Sequence, residues 1–321
     1  MKPTILLTGK TGQVGSELYR LLPQLGDVIA PDRHEMELLD SAQIRQVVRN
    51  ARPHIIVNAA AYTAVDAAET DEARAYAINA EAPAALAEEA KNCAARLIHY
   101  STDYVFDGTK ASPYEEGDPT NPLNVYGKTK LAGEDAIRKS GVAHLIFRTS
   151  WVYATRGKNF LLTILRLATE REELKIVCDQ TGSPTCARDI ATATTQILKM
   201  ADEAQGLAPA LTKITGTYHM TAGGQTTWYD FAKAILECAR EASRQLPWFV
   251  AATQGRPLIT RRVVPITAEE YRSPTHRPPY SVLSNVRLAR TFRLTLPSWR
   301  AQLEQCFILE PANLRAAGKN S

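Results

Sequence analysis

A tyrosine and a lysine four residues apart are the side chains of this sequence best suited to proton transfer. Tyr126 and Lys130 lie in the segment YGKTK, and this spacing puts both on one face of a helix. A tyrosine can protonate a developing alkoxide if its pKa falls from about 10 toward neutrality, which a nearby ammonium favours. Thr102, in the segment STD, could hold a substrate carbonyl in line. The three residues predict reduction of a ketone, although the Tyr and Lys spacing is also that of an ordinary helix surface.

A glycine-rich turn near the start of the chain predicts a dinucleotide site. Gly9, Gly12 and Gly15 are spaced as GxxGxxG between a short apolar run and a helical stretch. Glycine is needed where the chain turns sharply and where backbone approaches a pyrophosphate, and a helix N-terminus attracts the phosphate charge. A structural turn can show the same pattern, but its position after the first strand favours cofactor binding.

Charged residues at the end of the second predicted strand (27–32) bear on the choice of cofactor. Asp32 lies where an acidic residue would meet a free ribose 2′-hydroxyl, whereas Arg33 could hold a 2′-phosphate. Asp40 opens the next loop and could reach the adenine. We therefore expect either NADPH or NADH, with solvated loop charges as the alternative for Asp32 and Arg33.

Strands and helices alternate through residues 1–153 and would bring these motifs together. Apolar runs at 4–7, 54–61, 96–106 and 144–153 alternate with helical stretches at 41–51, 71–94 and 123–140. The runs are continuously apolar, which indicates a parallel sheet covered on both faces. Ligands bind at the carboxyl ends of such strands. The fold class is therefore α/β, a Rossmann-type doubly wound parallel sheet with a smaller, irregular α/β substrate domain.

The domain boundaries follow from the same pattern. Residues 1–153 would form the NAD(P)-binding Rossmann domain, with segments near 187–225 returning to it. Residues 154–310 would form mainly the substrate-binding domain, and 311–321 a frayed tail. Six prolines between 245 and 279 predict an irregular stretch. Trp228 is expected to be a packing residue.

The composition indicates a soluble globular protein. Hydrophobic residues make up 45% and charged residues 22%, and the net charge of +4 is too small to argue for nucleic acid. No stretch approaches the roughly 20 apolar residues of a membrane span. The scattered cysteines fit free thiols in a reducing compartment, and the scattered histidines lack metal-ligand spacing. We expect a cytoplasmic protein with no metal site and no nucleic-acid or membrane partner.

Several segments together resemble the dTDP-4-dehydrorhamnose reductases, which are extended short-chain dehydrogenases. They are GKTGQVG, VNAAAYTAVD, HYSTDYVFDG, PLNVYGKTKLAGE and FRTSWVY, and the resemblance covers essentially the whole chain. It implies hydride transfer from NAD(P)H to C4 of dTDP-4-dehydro-L-rhamnose, a dTDP-linked 4-keto-6-deoxy sugar. Tyr126 would be the acid, and Lys130 would bind the nicotinamide ribose and lower the pKa of Tyr126. The implied cofactor groove contains Gly12, Gln13, Val14, Asp32, Asp40, Ala60, Ala61, Tyr62, Thr63 and Tyr100.

Substrate contacts are expected from both halves of the chain. The resemblance implies that Thr102 and Asp103 meet the sugar and that Trp151 packs against it. Asn159 and Phe160 follow the last predicted Rossmann strand and could touch the sugar or the thymine, with a core position as the alternative for Phe160. Arg277, in an arginine-rich span, is the candidate for the diphosphate, because arginine matches that geometry bidentately. A solvated basic face is the alternative reading of the span.

Some members of the family are dimers bridged by magnesium through surface glutamates. Glu17 matches one of these glutamates, but Arg188 and Arg290 stand at the other two positions. The exchange disfavours a magnesium bridge and leaves a monomer or a homodimer open.

Two alternative functions remain open at this point. One is another nucleotide-sugar reductase or epimerase on the same scaffold; a dehydratase is disfavoured because Tyr104 follows Asp103 where an acidic pair is typical. The other is a non-catalytic, nucleotide-binding regulatory subunit. The presence of Thr102, Tyr126 and Lys130 argues against that second alternative.

Overall fold

The computed structural model describes residues 2–205, 211, 213–242 and 246–308. The strands are β1 (Thr4–Thr8), β2 (Asp27–Ile29), β3 (Ile55–Asn58), β4 (Arg96–Thr102), β5 (His144–Thr149), β6 (Val152–Tyr153), β7 (Glu173–Val177), β8 (Thr181–Gly182), β9 (Thr185–Cys186), β10 (Gly216–His219), β11 (Thr226–Thr227) and β12 (Arg262–Ile266). The helices are α1 (Gln13–Leu21), α2 (Ser41–Ala51), α3 (Val65–Ala68), α4 (Glu72–Tyr76), α5 (Ala82–Asn92), α6 (Val125–Ser140), α7 (Phe160–Ala168), α8 (Ala187–Gln205), α9 (Trp228–Glu241), α10 (Pro247–Thr253), α11 (Ala268–Tyr271), α12 (Val286–Phe292) and α13 (Trp299–Cys306).

Six strands form a parallel sheet in the order β10-β5-β4-β3-β1-β2. The chain starts in β1, adds β2 on one side, and then continues from β3 outward on the other. The strand order therefore reverses beside β1, and the carboxyl ends of β1 and β3 flank a crevice of the kind that binds nucleotides. This topology confirms the predicted doubly wound α/β class.

Both faces of the sheet are covered by helices, because successive residues of a strand point to opposite sides. Ile5 and Leu7 of β1 pack in one core with α1 and α8. Leu6 packs in a second core with α2, α5 and α6. The continuous apolar strands of the sequence are explained by this double burial.

A second, smaller unit is built around α7 and α9. Its core contains Leu161, Ile164, Phe231 and Ile235, and β7 pairs with β12 at its edge. Two later segments lie against the Rossmann sheet instead: β10 pairs with β5, and α8 packs beside α1. None of the helices in the described part of the chain combines the length and hydropathy that a membrane span requires.

The stretch over 245–279, predicted to be largely irregular, contains three short elements between loops among its described residues. This region contains α10, β12 and α11. Pro247 begins α10, where a missing N–H costs nothing. Pro265 lies in β12, whose only sheet neighbour among the described residues is β7, and such an edge strand tolerates proline. The predicted tail, 311–321, lies outside the described residues.

Candidate active site

A cavity of about 1450 Å³ opens at the carboxyl ends of the parallel strands and extends between the Rossmann sheet and the second unit. Most of the predicted site residues line it: Gly9, Gly12, Gln13, Val14, Asp32, Arg33, Ala60, Ala61, Tyr62, Thr63, Tyr100, Thr102, Asp103, Tyr126, Lys130, Trp151 and Arg277. Three predicted residues, Gly15, Asp40 and Asn159, are not part of the lining.

The glycine-rich turn is shaped by close backbone approaches. Gly9 has φ +74°, and a Cβ there would lie 2.7 Å from the Ala60 nitrogen. A Cβ on Gly15 would collide with the Gly9 carbonyl, so Gly15 allows α1 to pack on the turn. Gly12 caps α1 without a side chain, which leaves the first N–H groups of the helix free for an anion.

The charges at the end of β2 are held by local partners. The strand ends at Ile29, so Asp32 lies in the following turn rather than at the strand end. Asp32 Oδ1 accepts hydrogen bonds from the backbone N–H groups of His34 (2.8 Å) and Glu35 (3.1 Å), and these bonds lower the pKa of Asp32. Arg33 Nε pairs with Glu37 at 2.7 Å. Both residues line the cavity, and this arrangement leaves the choice between NADH and NADPH open.

Asp40 and Asn159 serve as helix caps instead of lining the cavity. Asp40 Oδ1 accepts from the N–H groups of Ala42 (2.9 Å) and Gln43 (3.1 Å), so Asp40 is the N-cap of α2. Asn159 caps α7, and its Nδ2 donates to Gln13 Oε1 at 2.8 Å. Both residues thus have structural roles, and their contacts with adenine and sugar stay predictions, because an Asp or Asn before a helix has the same sequence signature in both cases.

Thr102 and Asp103 form a buried hydroxyl–carboxylate pair. Thr102 Oγ1 donates to Asp103 Oδ1 at 2.9 Å, and Ser150 Oγ donates to Asp103 Oδ2 at 2.8 Å. Burial raises the pKa of Asp103 to about 6, against the opposing effect of hydrogen bonds from Ser281, Ser150 and Thr102. Asp103 therefore fixes the orientation of Thr102.

Tyr126 is a protonated phenol in this environment. Burial raises its pKa to about 12, and a hydrogen bond with Thr102 opposes the rise. The expected fall toward neutrality is not found in the free protein, because burial dominates the shift in pKa. Lys130 Nζ bonds the Tyr100 carbonyl (2.6 Å) and His99 Nε2 (3.2 Å). Burial also lowers the pKa of Lys130 to about 8. The Tyr100 hydroxyl is turned away and bonds Thr194 at 2.8 Å.

Trp151 occupies an unusual backbone position between β5 and β6. Its φ is +48°, and its ring stacks on Trp228 with centroids 3.5 Å apart and planes 5° from parallel. A Cβ on Gly182 would lie within 2.7 Å of Trp151 Cζ2, so the indole fills the space above that glycine. Trp228 packs as expected, and it also lines the cavity.

Arg277 reaches the cavity from the second unit. Its Nη2 donates to Asp66 Oδ1 at 2.7 Å, and its Nη1 donates to Ser273 Oγ at 2.9 Å. Asp66 lies in α3, so this ion pair joins the second unit to the Rossmann unit.

Sequence reasoning missed several residues of the site. Asn79 holds the backbone of Tyr62 at both ends, accepting from its N–H at 2.9 Å and donating to its carbonyl at 3.0 Å. The wall in the second unit contains Phe160, which the sequence offered as a contact, and eight residues that were missed: Ile164, Leu167, Arg171, Lys175, Ile176, Val177, Gln180 and Tyr271. Those eight residues carry no local signal in the sequence.

No cluster of three or more His, Cys, Asp or Glu side chains able to hold a metal ion occurs among residues 2–205, 211, 213–242 and 246–308.

Comparisons with known proteins agree with the geometry. The model of the RmlD substrate binding domain family matches residues 1–310. A dTDP-4-dehydrorhamnose reductase of Burkholderia thailandensis is 49% identical over 302 residues, which cover 94% of this chain and 97% of the relative. The enzyme of that name from Escherichia coli K12 is 44% identical over 305 residues, 94% of this chain and 96% of the relative.

Solved structures give the same result. The crystal structure of dTDP-4-dehydrorhamnose reductase from Bacillus anthracis in complex with NADP is similar with a TM-score of 0.82 and 35% identity, over 96% of this chain and 99% of that one. A UDP-glucose 4-epimerase from Thermotoga maritima, 17% identical with a TM-score of 0.70, shares the fold over 98% of this chain and 99% of that one. The resemblance seen in the sequence is thereby confirmed: the chain belongs to the RmlD family, that of the dTDP-4-dehydrorhamnose reductases.

Proposed function

We propose that the protein is an NAD(P)H-dependent oxidoreductase that reduces the C4 ketone of dTDP-4-dehydro-L-rhamnose to give dTDP-L-rhamnose. One observation carries the proposal: Thr102, Tyr126 and Lys130 line the same cavity as the glycine-rich turn. A proton donor therefore shares one space with a dinucleotide cradle. The names of the relatives at 49% and 44% identity support this substrate.

The residues of the cavity fit a nicotinamide dinucleotide. The turn at Gly9 and the uncapped N-terminus of α1 would hold the pyrophosphate. Asp32 or Arg33 would meet the adenosine ribose, and Lys130 the nicotinamide ribose. The NADP in the Bacillus anthracis relative supports this assignment. When bound, the reduced nicotinamide supplies the hydride that adds to C4.

Tyr126 supplies the proton. With a pKa of about 12, its phenol is fully protonated at neutral pH and so already has the form that reduction requires. The carbonyl oxygen of the sugar becomes an alkoxide and takes the phenolic hydrogen, leaving a phenolate that the Lys130 ammonium stabilises. Thr102 would hold the carbonyl oxygen beside Tyr126 by turning its hydroxyl hydrogen from Asp103, to which it donates in the free protein, to the substrate.

The remaining contacts place the substrate. The stacked pair Trp151 and Trp228 offers a flat apolar wall to the sugar ring. Arg277 would bind the diphosphate, with its planar guanidinium exchanging the Asp66 carboxylate for phosphate oxygens. Asn159 and Asp40 have no part in this arrangement.

The proposal is tested by following NAD(P)H oxidation with enzymatically prepared dTDP-4-dehydrorhamnose. We expect turnover by the native protein and a loss of roughly 10²- to 10⁴-fold in kcat for Tyr126→Phe. Tyr114→Phe, which removes a buried phenol outside the cavity, is the matched control. Running NADH and NADPH side by side decides between Asp32 and Arg33.

Two results would contradict the proposal. Full turnover by Tyr126→Phe would exclude Tyr126 as the acid. No turnover by folded protein that still binds a cofactor would leave either another nucleotide sugar, tested with UDP- and dTDP-sugars for epimerisation, or a regulatory role.

A further inference from the structure

A chain of buried hydrogen bonds runs from Lys130 through the sheet to the glycine-rich turn. His99, in β4, is 0% exposed, and its Nε2 lies 3.2 Å from Lys130 Nζ. On the other side of the ring, Nδ1 lies 3.0 Å from the amide nitrogen of Asn58 in β3. Asn58 Oδ1 in turn accepts from Thr8 Oγ1 at 2.6 Å, one residue before Gly9.

We infer that His99 is a positioning residue for the reaction, a neutral acceptor that holds the Lys130 ammonium in place and whose ring tautomer follows the charge of Lys130. The inference rests on the proposed function in one respect, that Lys130 acts beside Tyr126. It goes beyond that function by assigning a role to a buried histidine that does not line the cavity.

The partners of Lys130 explain why a histidine suits this position. Its side chain is 1% exposed, and among the ion pairs of the described residues none involves it. Two of its three N–H donors face the Tyr100 carbonyl and His99 Nε2, which leaves one for a ligand in the cavity. A carboxylate in place of His99 would fix the amine but cancel its charge. A neutral imidazole fixes the amine and leaves the full positive charge for the ribose and the Tyr126 phenolate.

The ring nitrogens allow two states of the network. A neutral imidazole has one donor and one acceptor. When Lys130 is charged, Nε2 must accept, so the hydrogen is on Nδ1. The Asn58 amide is then turned over relative to the structure, with its oxygen toward Nδ1 and its Nδ2 donating to Thr8 Oγ1. When Lys130 is uncharged, Nε2–H can donate to the amine, and Nδ1 accepts from the Asn58 Nδ2 that faces it in the structure. The two states differ by one proton, which leaves to solvent as Lys130 loses its charge.

The ring itself stays neutral throughout. Burial, with the positive charges of Lys130 and His144, holds the pKa of His99 well below its ordinary value. The other groups that act on the pair are Glu134 on α6, which favours the charged form of Lys130, and His144 on β5. Both are retained in the variants below, so a change in pH dependence reports on His99.

Two amide substitutions of His99 distinguish the contact made by Nε2 from the contact made by Nδ1. The amide of His99→Gln reaches the position of Nε2 and keeps an acceptor for Lys130, whereas that of His99→Asn reaches only the position of Nδ1. In the pH profile of kcat/KM, we expect the alkaline limb of His99→Asn to lie at a pH lower by roughly 1 to 2 units, because the ammonium of Lys130 loses a hydrogen-bond acceptor. His99→Gln should keep the limb near its native position.

His219→Asn is the matched control. His219 is likewise 0% exposed, but it lies in β10 and packs against Phe106. This variant should lower stability in the same way and leave the alkaline limb unchanged. A native limb in folded His99→Asn, or the same shift in His219→Asn, would overturn the inference.

A second measurement needs no substrate. In protein labelled with ¹⁵N-histidine, the six histidines can be assigned by difference, with His99→Gln identifying the His99 signals. As Lys130 loses its proton, we expect the ¹⁵N shift of His99 Nδ1 to change from that of a protonated to that of an unprotonated ring nitrogen, and the shift of Nε2 to change in the opposite way. Both shifts should stay constant over that pH range in Lys130→Met. Constant signals in the native protein would refute the tautomer change. If the native protein does not reduce the sugar, this titration still decides the inference, so failure of the proposed function is distinguishable.

Discussion

Burial acts in the same direction on each ionisable residue at the centre of the site. It raises the pKa of Tyr126 to about 12 and that of Asp103 to about 6, and it lowers the pKa of Lys130 to about 8. Each shift favours the uncharged form, because a low-dielectric surrounding disfavours charge. Ionising these residues therefore costs free energy in the free protein. A bound ligand that pairs with the charges offsets that free energy.

We predict that Asp103→Asn is more stable but less active than the native protein. A pKa raised from 3.8 to about 6 means that the folded state binds more protons than the unfolded one between these values. The carboxylate therefore lowers stability as pH rises through that range, and the amide should add about 1 to 3 kcal/mol at pH 7. Urea unfolding at pH 7 and below pH 4 measures this gain, which should shrink at the lower pH. A less stable variant at pH 7 would contradict it.

Local motifs were sufficient to predict the residues that act within a few positions of each other. Gly9, Gly12, Tyr126 and Lys130 were found because each motif lies on one turn or one helix face. His99 was missed because its partners Lys130 and Asn58 are 31 and 41 residues away in the chain. Such a contact is created by strand order, and nothing in the sequence near His99 distinguishes it from an ordinary core residue.

Among the elements, the starts of helices are where the sequence separates a structural role from a ligand contact least well. Asp40 precedes α2 and Asn159 precedes α7, and at both positions a polar side chain serves equally as a cap or as a ligand contact. Residues at the carboxyl ends of strands, such as Thr102, were correctly predicted to line the cavity, because ligands of a parallel sheet bind at that edge.

Removing the cap of α2 should affect folding alone. Asp40→Ala loses the two hydrogen bonds to Ala42 and Gln43, and we expect a loss of about 1 kcal/mol in the free energy of unfolding. Asp40→Asn, which keeps an acceptor, should lose less. The Kd for NADPH, measured by fluorescence, should be unchanged in both. A weaker Kd in Asp40→Ala would restore the adenine contact that the sequence suggested.

The position of Trp151, between β5 and β6, should change when a single methyl group is added at Gly182. Gly182→Ala would press a Cβ into the Trp151 indole and displace it from the Trp228 stack. We expect KM for the keto sugar to rise roughly tenfold, equivalent to about 1.4 kcal/mol, with NADPH affinity retained. Gly117→Ala, with open space around its Cβ, is the control. An unchanged KM would exclude the Trp151 ring from sugar binding.

Across the whole molecule, buried histidines make the fold sensitive to acid. Burial and the charge of Arg148 lower the pKa of His219 to about 3, from 6.5. The unfolded chain takes up this proton first, so stability is complete above about pH 6.5 and is lost as pH falls toward 3. The loss from His219 is on the order of 4 kcal/mol at the lower end. His99 acts in the same sense, and Asp103 in the opposite one.

This dependence can be measured by urea unfolding at a series of pH values between 7 and 4. His219→Gln should flatten the curve, since its side chain takes up no proton in either state. An equal slope in the variant and the native protein would show that the acid sensitivity has another origin.

The fit of the Trp151 indole over Gly182 also constrains how this protein can change over generations. A larger residue at position 182 would press on the indole, and a smaller residue at 151 would leave a hole beside the proposed sugar site. Neither position can change alone without a loss of stability or fit, although Trp151 lies in the turn between β5 and β6 and Gly182 lies in β8. Descendants of this chain should therefore exchange these residues in pairs, and a lineage that lost the tryptophan would be free to acquire a new sugar preference together with a side chain at position 182.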